Sequence, residues 1–215
     1  MPWIDIAAKC KAEEVSIEVY PPRSSSFSLP SGLFLSQSLR SLWLSGNFVI
    51  GDEVSSFPAL SNLASLFLES VSVIDESFWR WLSCSCKRLQ TLSLLYIHGS
   101  KNIIIESPSL KKFSFTLRPC DCCNLSIFAN RLENIKIQWS YSMNTLLNIS
   151  APNATWFDWT GPFLSSQYIG EMRCLNEGLI SSWPGTDRTV TKLTDLLYCL
   201  RFVKALELND RALEV

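Results

Sequence analysis

The sequence has no excess of charge of either sign. Among its 215 residues, 19 are lysine or arginine and 20 are aspartate or glutamate, so the formal charge is −1. Phosphate backbones and anionic membrane surfaces attract proteins with strongly basic surfaces. The charge balance therefore argues against nucleic acid and against a membrane surface as a partner. Nor does any stretch reach the roughly 18 consecutive apolar residues that a membrane-spanning helix requires.

The N-terminal residues lack the pattern of a secretory signal. The opening MPWIDIAAKCKAEEV contains neither a basic segment nor an unbroken apolar one. We therefore expect a cytoplasmic or nuclear protein. In that reducing environment cysteines stay free thiols and pack as small apolar side chains, which we expect for Cys10, Cys84, Cys86, Cys120, Cys122, Cys123, Cys174 and Cys199.

Signatures of catalysis and of metal binding are missing as well. The chain has no glycine-rich phosphate loop, no H-E-x-x-H and no G-x-S-x-G. The single histidine, His98, stands apart from the Cys-x-Cys at Cys84 and the Cys-x-Cys-Cys at Cys120, whose spacings are shorter than those of structural zinc sites. We predict a protein that is not an enzyme and binds no cofactor or metal, with a thiol or zinc enzyme as the alternative.

What the sequence does contain is a repeated apolar pattern. Apolar residues make up 47 % of the chain, enough for a continuous core. Leu39, Leu42, Leu44, Asn47 and Val49 match the leucine-rich-repeat template L-x-x-L-x-L-x-x-N-x-V. The first three positions of the template recur at seven other places: Ala12/Val15/Ile17, Leu63/Leu66/Leu68, Leu89/Leu92/Leu94, Leu110/Phe113/Phe115, Leu132/Ile135/Ile137, Ala154/Phe157/Trp159 and Val203/Leu206/Leu208.

The spacing of these units is that of a solenoid. The first seven start 21 to 27 residues apart, within the period of roughly 20–29 residues of leucine-rich repeats. A gap of 49 residues precedes the last unit. It predicts one degraded repeat, with Ile169, Met172 and Cys174 as its candidate.

The template has a physical cause. Its last two apolar residues are two positions apart, so on a strand both face the core while their neighbours face outward. No unit buries its apolar residues alone, so the units stack and their strands form a curved parallel sheet with an exposed concave face. We predict one domain over residues 1–215, an α/β leucine-rich-repeat solenoid of about eight irregular repeats. Its strands are expected at 15–19, 41–45, 65–69, 91–95, 112–116, 134–138, 156–160 and 205–209.

The segments between the strands differ in character. Residues 75–82 predict a short helix that begins at Asp75, with Phe78 and Leu82 on one face. Another helical stripe consists of Leu193, Leu196, Leu197 and Leu200. Residues 21–32 and 181–186 have the composition of loops.

Several short motifs are spread along the chain: W-I-x-x-A-x-x-x-x-A-E-E-V at 3–15, S-G-L-F at 31–34, C-x-x-L-x-x-L-x-L at 86–94, S-P-S-L-K-x-F at 107–113 and A-P-N-A at 151–154. Together with the run from Leu193 to Leu208, they resemble the repeat region of plant F-box/LRR proteins of the F-box, LRR and FBD type. The resemblance implies a protein-binding module, the substrate-recognition part of an SCF ubiquitin ligase receptor. In such proteins an N-terminal F-box docks onto the ligase adaptor. No segment here matches an F-box, so we expect adaptor binding only if one is supplied.

A second interpretation is an extracellular leucine-rich-repeat receptor or inhibitor. The glycosylation sequons at Asn124, Asn148 and Asn153 suggest it. The absence of a recognisable secretory signal favours the first interpretation.

The binding surface is predicted on the concave face, where one outward residue per strand forms a row. The row consists of Ser16, Trp43, Phe67, Ser93, Ser114, Lys136 and Asp158. Trp43 and Phe67 are the candidate anchors, because aromatic residues carry much of the energy of protein interfaces. Burial of Trp43 under a neighbouring loop is the alternative. Trp159, at a core position of the template, is predicted to be buried.

Overall fold

Parallel strands dominate the computed structural model, which describes residues 11–19, 26–29, 31–117, 124–139, 145–164, 166–182 and 189–209. In chain order the elements are β1 (Glu14–Val19), β2 (Phe27–Ser28), α1 (Ser31–Phe34), β3 (Ser41–Gly46), β4 (Phe48–Ile50), a 3-10 helix (Asp52–Ser56), β5 (Ser65–Glu69), β6 (Ser72–Val73), α2 (Ser77–Ser85), β7 (Thr91–Leu95), β8 (Asn102–Glu106), β9 (Lys112–Leu117), β10 (Asn124–Phe128), β11 (Asn134–Trp139), β12 (Leu146–Ser150), β13 (Trp156–Thr160), β14 (Ser166–Ile169), β15 (Glu177–Ser181), α3 (Thr189–Cys199) and β16 (Ala205–Leu208). Within these ranges no helix is long and apolar enough to cross a membrane.

One strand from each repeat joins the largest sheet. Its nine parallel strands follow the chain in the order β1-β3-β5-β7-β9-β11-β13-β15-β16. Each strand pairs with the strand of the next repeat, so the sheet grows by one strand per unit. This arrangement confirms the α/β leucine-rich-repeat solenoid, with the nine-stranded sheet on its concave face.

The opposite wall of the solenoid is built from return segments. Four strands form a second parallel sheet in the order β14-β12-β10-β8, and three form a small sheet in the order β2-β4-β6. The core lies between the walls, where Leu92 and Leu94 of β7 and Ile103 and Ile105 of β8 belong to one buried cluster. Each wall supplies apolar residues at alternate positions, so neither wall is stable without the other.

The length of a repeat determines how its chain returns. The unit that begins at Leu63 contains α2 and spans 26 residues, whereas the unit that begins at Leu110 returns through β10 and spans 22. A helix rises about 1.5 Å per residue and a strand about 3.3 Å, so a helical return needs more residues. The predicted helix at 75–82 is confirmed, although it begins at Ser77. The Asp75 carboxylate accepts a hydrogen bond from the Ser77 N–H at 2.8 Å just before that helix.

The eight predicted strands are confirmed, and their ends differ from the prediction by no more than one residue. The candidate for the degraded repeat, Ile169, Met172 and Cys174, is wrong. The strand of that repeat is β15, Glu177–Ser181. Its core positions are Gly178 and Ile180, which pair with Phe157 and Trp159. A glycine where the template has leucine concealed this unit.

The loop prediction for residues 21–32 is wrong in part, since β2 and part of α1 lie within it. In the other predicted loop, Ser181 belongs to β15. Of the two predicted loops, residues 21–25, 30 and 183–186 lie outside the described ranges.

Candidate functional site

The register of the nine-stranded sheet places the predicted site residues in one row. Ser16 pairs with Trp43, and Trp43 pairs with Phe67. The same register continues across the sheet to Leu179 and Glu207, which the predicted row did not include. Leu179 was missed because β15 was not found, whereas Glu207 lies on a strand that was predicted. In order, the row is Ser16, Trp43, Phe67, Ser93, Ser114, Lys136, Asp158, Leu179 and Glu207.

Trp43 and Phe67 form an aromatic pair on the concave face. Their ring centroids lie 4.0 Å apart and their planes are tilted by 31°. The Trp43 side chain is 45 % exposed, so the alternative that a loop buries it is wrong. The flanking row members, Ser16 and Ser93, have short side chains and leave the rings accessible along the row. The pair therefore offers an apolar surface to a partner.

A carboxylate is held beside this pair. The Ser45 hydroxyl donates a hydrogen bond to Oε2 of Glu69 at 3.0 Å, and Ser45 itself is buried. Glu14 and Glu18 of β1 are exposed. The residues that alternate with the core positions of β1, β3, β5 and β7 include no lysine or arginine; they are Glu14, Ser16, Glu18, Ser41, Trp43, Ser45, Ser65, Phe67, Glu69, Thr91, Ser93 and Leu95. This half of the concave face is acidic.

The other half of the row is polar and paired within itself. Lys136 Nζ lies 3.5 Å from Oδ2 of Asp158. The Thr160 hydroxyl donates a 3.4 Å hydrogen bond to Oδ1 of Asp158. Asp158 lies in the predicted row but is only 5 % exposed. It offers a partner little surface.

A groove lies on the opposite side of the solenoid, between α2 and β8. Its volume is about 530 Å³, and its lining includes Glu76, Arg80, Cys84 and Ile104. The Glu76 carboxylate accepts hydrogen bonds from the backbone N–H of Asn102 at 2.8 Å and from its side-chain amide at 3.0 Å. These bonds occupy Glu76 in a structural role. Among the described residues, no three histidine, cysteine or acidic side chains come together to hold a metal.

The cysteines in the described ranges are free thiols. Cys84 and Cys174 are exposed, Cys199 is half-buried and Cys86 is buried. Burial raises the pKa of Cys86 to about 12, so its thiol stays protonated at neutral pH. Because the thiolate is the nucleophilic form, Cys86 is unsuited to catalysis. The remaining four, Cys10, Cys120, Cys122 and Cys123, lie outside the described ranges.

His98 occupies a position in the backbone network between repeats. Its backbone N–H donates to the Val71 carbonyl at 3.0 Å, and its carbonyl accepts from the Val73 N–H at 2.8 Å. It lies in the connecting segment between β7 and β8.

Two of the three sequon asparagines also link neighbouring repeats. The Asn124 amide donates to Oδ1 of Asn102 at 2.9 Å, and its Oδ1 accepts from the Leu146 N–H at 3.0 Å. The Asn153 amide donates to the Asn130 carbonyl at 2.7 Å. Satisfying backbone groups at such positions accounts for asparagine there without a glycan.

Comparisons with known proteins agree with this architecture. Residues 1–174 match the family model described as FBD-associated F-box protein At5g56370, LRR repeats. No solved structure matches the chain significantly.

The curated relatives are longer plant proteins. The chain is 33 % identical over 137 residues to FBD-associated F-box protein At3g52670 of Arabidopsis thaliana, a match that covers 62 % of this chain and 30 % of the relative. It is 30 % identical over 159 residues to putative FBD-associated F-box protein At5g53635 of the same plant, covering 71 % and 36 %. A third, putative F-box/FBD/LRR-repeat protein At5g62970, also from Arabidopsis thaliana, is 32 % identical over 116 residues, covering 53 % and 25 %. The chain thus matches about a third or less of the length of each.

Proposed function

Because the chain belongs to the family of leucine-rich-repeat regions of FBD-associated F-box proteins, we propose that it binds another protein on the concave face of its nine-stranded sheet. The observation that carries the proposal is the Trp43–Phe67 pair, in which Trp43 is exposed and Phe67 is half-buried. Large exposed aromatic residues supply much of the energy of protein interfaces when a partner covers them. The site needs no cofactor or catalytic group, and we propose that residues 1–215 act as one domain.

The finer role that we propose is substrate recognition within an F-box-type (SCF) ubiquitin ligase receptor, in the cytoplasm or nucleus. The names of the relatives support it, since each contains the term F-box. The chain matches between 25 % and 36 % of the length of these three relatives. A longer receptor therefore has room for a separate segment that contacts the ligase adaptor.

The test of partner binding is capture from plant extract with the chain and with a Trp43→Ala, Phe67→Ala double variant. Removing an interface hot spot costs about 2 kcal/mol or more, so the double variant should bind more than about tenfold more weakly. A matched control is Ile104→Ala with Phe128→Ala, which removes apolar side chains that are 48 % and 40 % exposed on the second sheet. The proposal fails if the control weakens capture as much as the concave variant does.

The ligase role is tested separately with the purified SCF adaptor. We expect residues 1–215 alone not to retain the adaptor, whereas the same residues with an F-box fused in front of Met1 retain it. Ubiquitination of the captured protein by the fused version would support substrate recognition. Stoichiometric adaptor binding by residues 1–215 alone would contradict the assignment of the two roles to separate segments.

A further inference from the structure

The aromatic pair on the concave face is surrounded by acceptors and carboxylates. Glu69 lies two positions beyond Phe67 on the same face of β5, a separation of about 7 Å along a strand. Ser45 is in register with Glu69, and Glu18 is in register with Ser45 on the other side. The strip next to the rings is therefore Glu18–Ser45–Glu69, with two carboxylates among three residues.

The carboxylate of Glu69 is fixed in place before any partner arrives. The Ser45 hydroxyl, which is itself buried, donates to its Oε2 atom at 3.0 Å. The other carboxylate oxygen retains capacity to accept a hydrogen bond. No basic side chain of the described residues forms an ion pair with Glu69 or stacks on Trp43 or Phe67.

Three kinds of partner side chain can be compared at this place. An anionic side chain would be repelled by the carboxylates. A purely aliphatic one would cover the rings but would remove water from the Glu69 carboxylate without replacing its hydrogen bonds, which is costly. A cationic side chain satisfies both features, because aromatic faces attract cations and a carboxylate pairs with them.

We propose that the partner presents a lysine or arginine side chain whose cation lies over the Trp43–Phe67 pair and pairs with the Glu69 carboxylate. This inference rests on the proposed function and specifies the chemistry of the segment that the concave face recognises. The opposite half of the sheet differs, since Lys112 and Lys136 are exposed there. A basic residue of the partner is therefore directed to β3 and β5 and away from β9 and β11.

The test uses two small probes of equal size, a capped tetra-arginine peptide and a capped tetra-citrulline peptide. Citrulline keeps the planar shape of arginine and lacks its charge. The readout is the NMR signal of the Trp43 indole N–H, identified by its loss in Trp43→Phe. We expect tetra-arginine to shift this signal with saturation and tetra-citrulline to bind at least several-fold more weakly. Equal binding of the two probes would overturn the proposal.

A variant tests the role of the carboxylate. Glu69→Gln removes the charge but keeps an oxygen that can accept the Ser45 hydrogen bond, so the local structure is preserved. Tetra-arginine should bind this variant about two- to fivefold more weakly, which is the range expected for one exposed cation–π or ionic contact. The matched control is Glu133→Gln, whose carboxylate lies 3.8 Å from Lys111 and outside the aromatic strip. If Glu69→Gln and Glu133→Gln behave alike, Glu69 does not pair with the cation.

The outcomes separate this proposal from the proposed function. If the Trp43→Ala, Phe67→Ala variant loses its partner while wild-type chain ignores tetra-arginine, the concave face binds protein and the cation assignment is wrong. If tetra-arginine binds and partner capture does not depend on the aromatic pair, the cation site exists and the proposed function is wrong.

Discussion

The two halves of the nine-stranded sheet place most of their aromatic side chains on opposite sides. In β3 and β5 the core positions of the repeat template are leucines, and Trp43 and Phe67 point outward. In β9, β11 and β13 five of the six aromatic residues are buried, namely Phe113, Phe115, Trp139, Phe157 and Trp159. Trp156, at the start of β13, is half-buried. The central outward residues of these strands are Ser114, Lys136 and Asp158. Because side chains alternate along a strand, a shift of one position moves an aromatic ring from the core to the surface.

From this difference in the placement of aromatic side chains we infer different roles for the two halves of the sheet. Buried rings such as Trp139 and Trp159 contribute apolar contacts to the core in every state of the protein. Exposed rings contribute mainly when a partner covers them. We therefore propose that the N-terminal half provides the binding surface, while the buried aromatic rings of the C-terminal half contribute to stability.

The largest expected effect that tests this comparison is the difference between two strand tryptophans, Trp159 and Trp43. Trp159 is fully buried, and its indole N–H donates to the Gly161 carbonyl at 3.0 Å. Trp159→Ala should lower the free energy of unfolding by about 3–5 kcal/mol. Trp43→Ala should lower it by about 1 kcal/mol or less. Urea denaturation followed by circular dichroism measures both, and similar losses would show that the halves are not specialised.

Much of this contrast could be predicted from the sequence. The template assigns Trp159 to the core and Trp43 to the surface by counting positions alone, and the structure agrees on both. The row of outward residues follows from the same count. The contact between Ser45 and Glu69 could not be predicted, because it depends on side-chain conformations rather than on the repeat.

The second wall of the solenoid was also missed. Its strands carry alternating apolar pairs, Ile103/Ile105, Leu125/Ile127 and Leu147/Ile149, which recur every 22 residues. Each pair is short and could belong to a loop, so the signal appears only when the repeats are aligned.

The burial of Asp158 could not be predicted either. Its position was right, but its burial depends on Lys136 and Thr160, which pack around its carboxylate.

An effect of intermediate size tests whether the polar half is stabilised by its own ion pair. Lys136→Met keeps the length of the side chain but removes the cation 3.5 Å from the buried Asp158 carboxylate. We expect a loss of about 1 kcal/mol in the free energy of unfolding. Lys112→Met is the control, since Lys112 is exposed and forms no ion pair with the described residues. Equal stability of the two variants in thermal or urea denaturation would show that the pair contributes nothing.

The smallest expected effect concerns β15. Gly178 occupies a core position there, where the neighbouring strands have Phe157 and Leu206. A Cβ added there would lie 3.1 Å from Cδ1 of Leu206, 3.6 Å from Cγ2 of Val203 and 3.9 Å from Cδ2 of Leu175. The nearest of these atoms ends a flexible side chain that is 38 % exposed, so it can move by the few tenths of an ångström required. Gly178→Ala should therefore raise the free energy of unfolding by about 0.5 kcal/mol, because alanine restricts the unfolded chain and adds apolar contacts.

The contrasting variant is Gly46→Ala at the end of β3. Gly46 has φ of +122°, and a Cβ there would lie 2.0 Å from the Val19 carbonyl oxygen, a backbone atom that cannot give way. This substitution should cost about 2 kcal/mol or more. The two glycines are thus expected to respond with opposite signs in the same urea denaturation experiment. A loss of stability in Gly178→Ala comparable to that in Gly46→Ala would mean that β15 packs as tightly against β16 as the inner strands pack against one another, and that its glycine is required there.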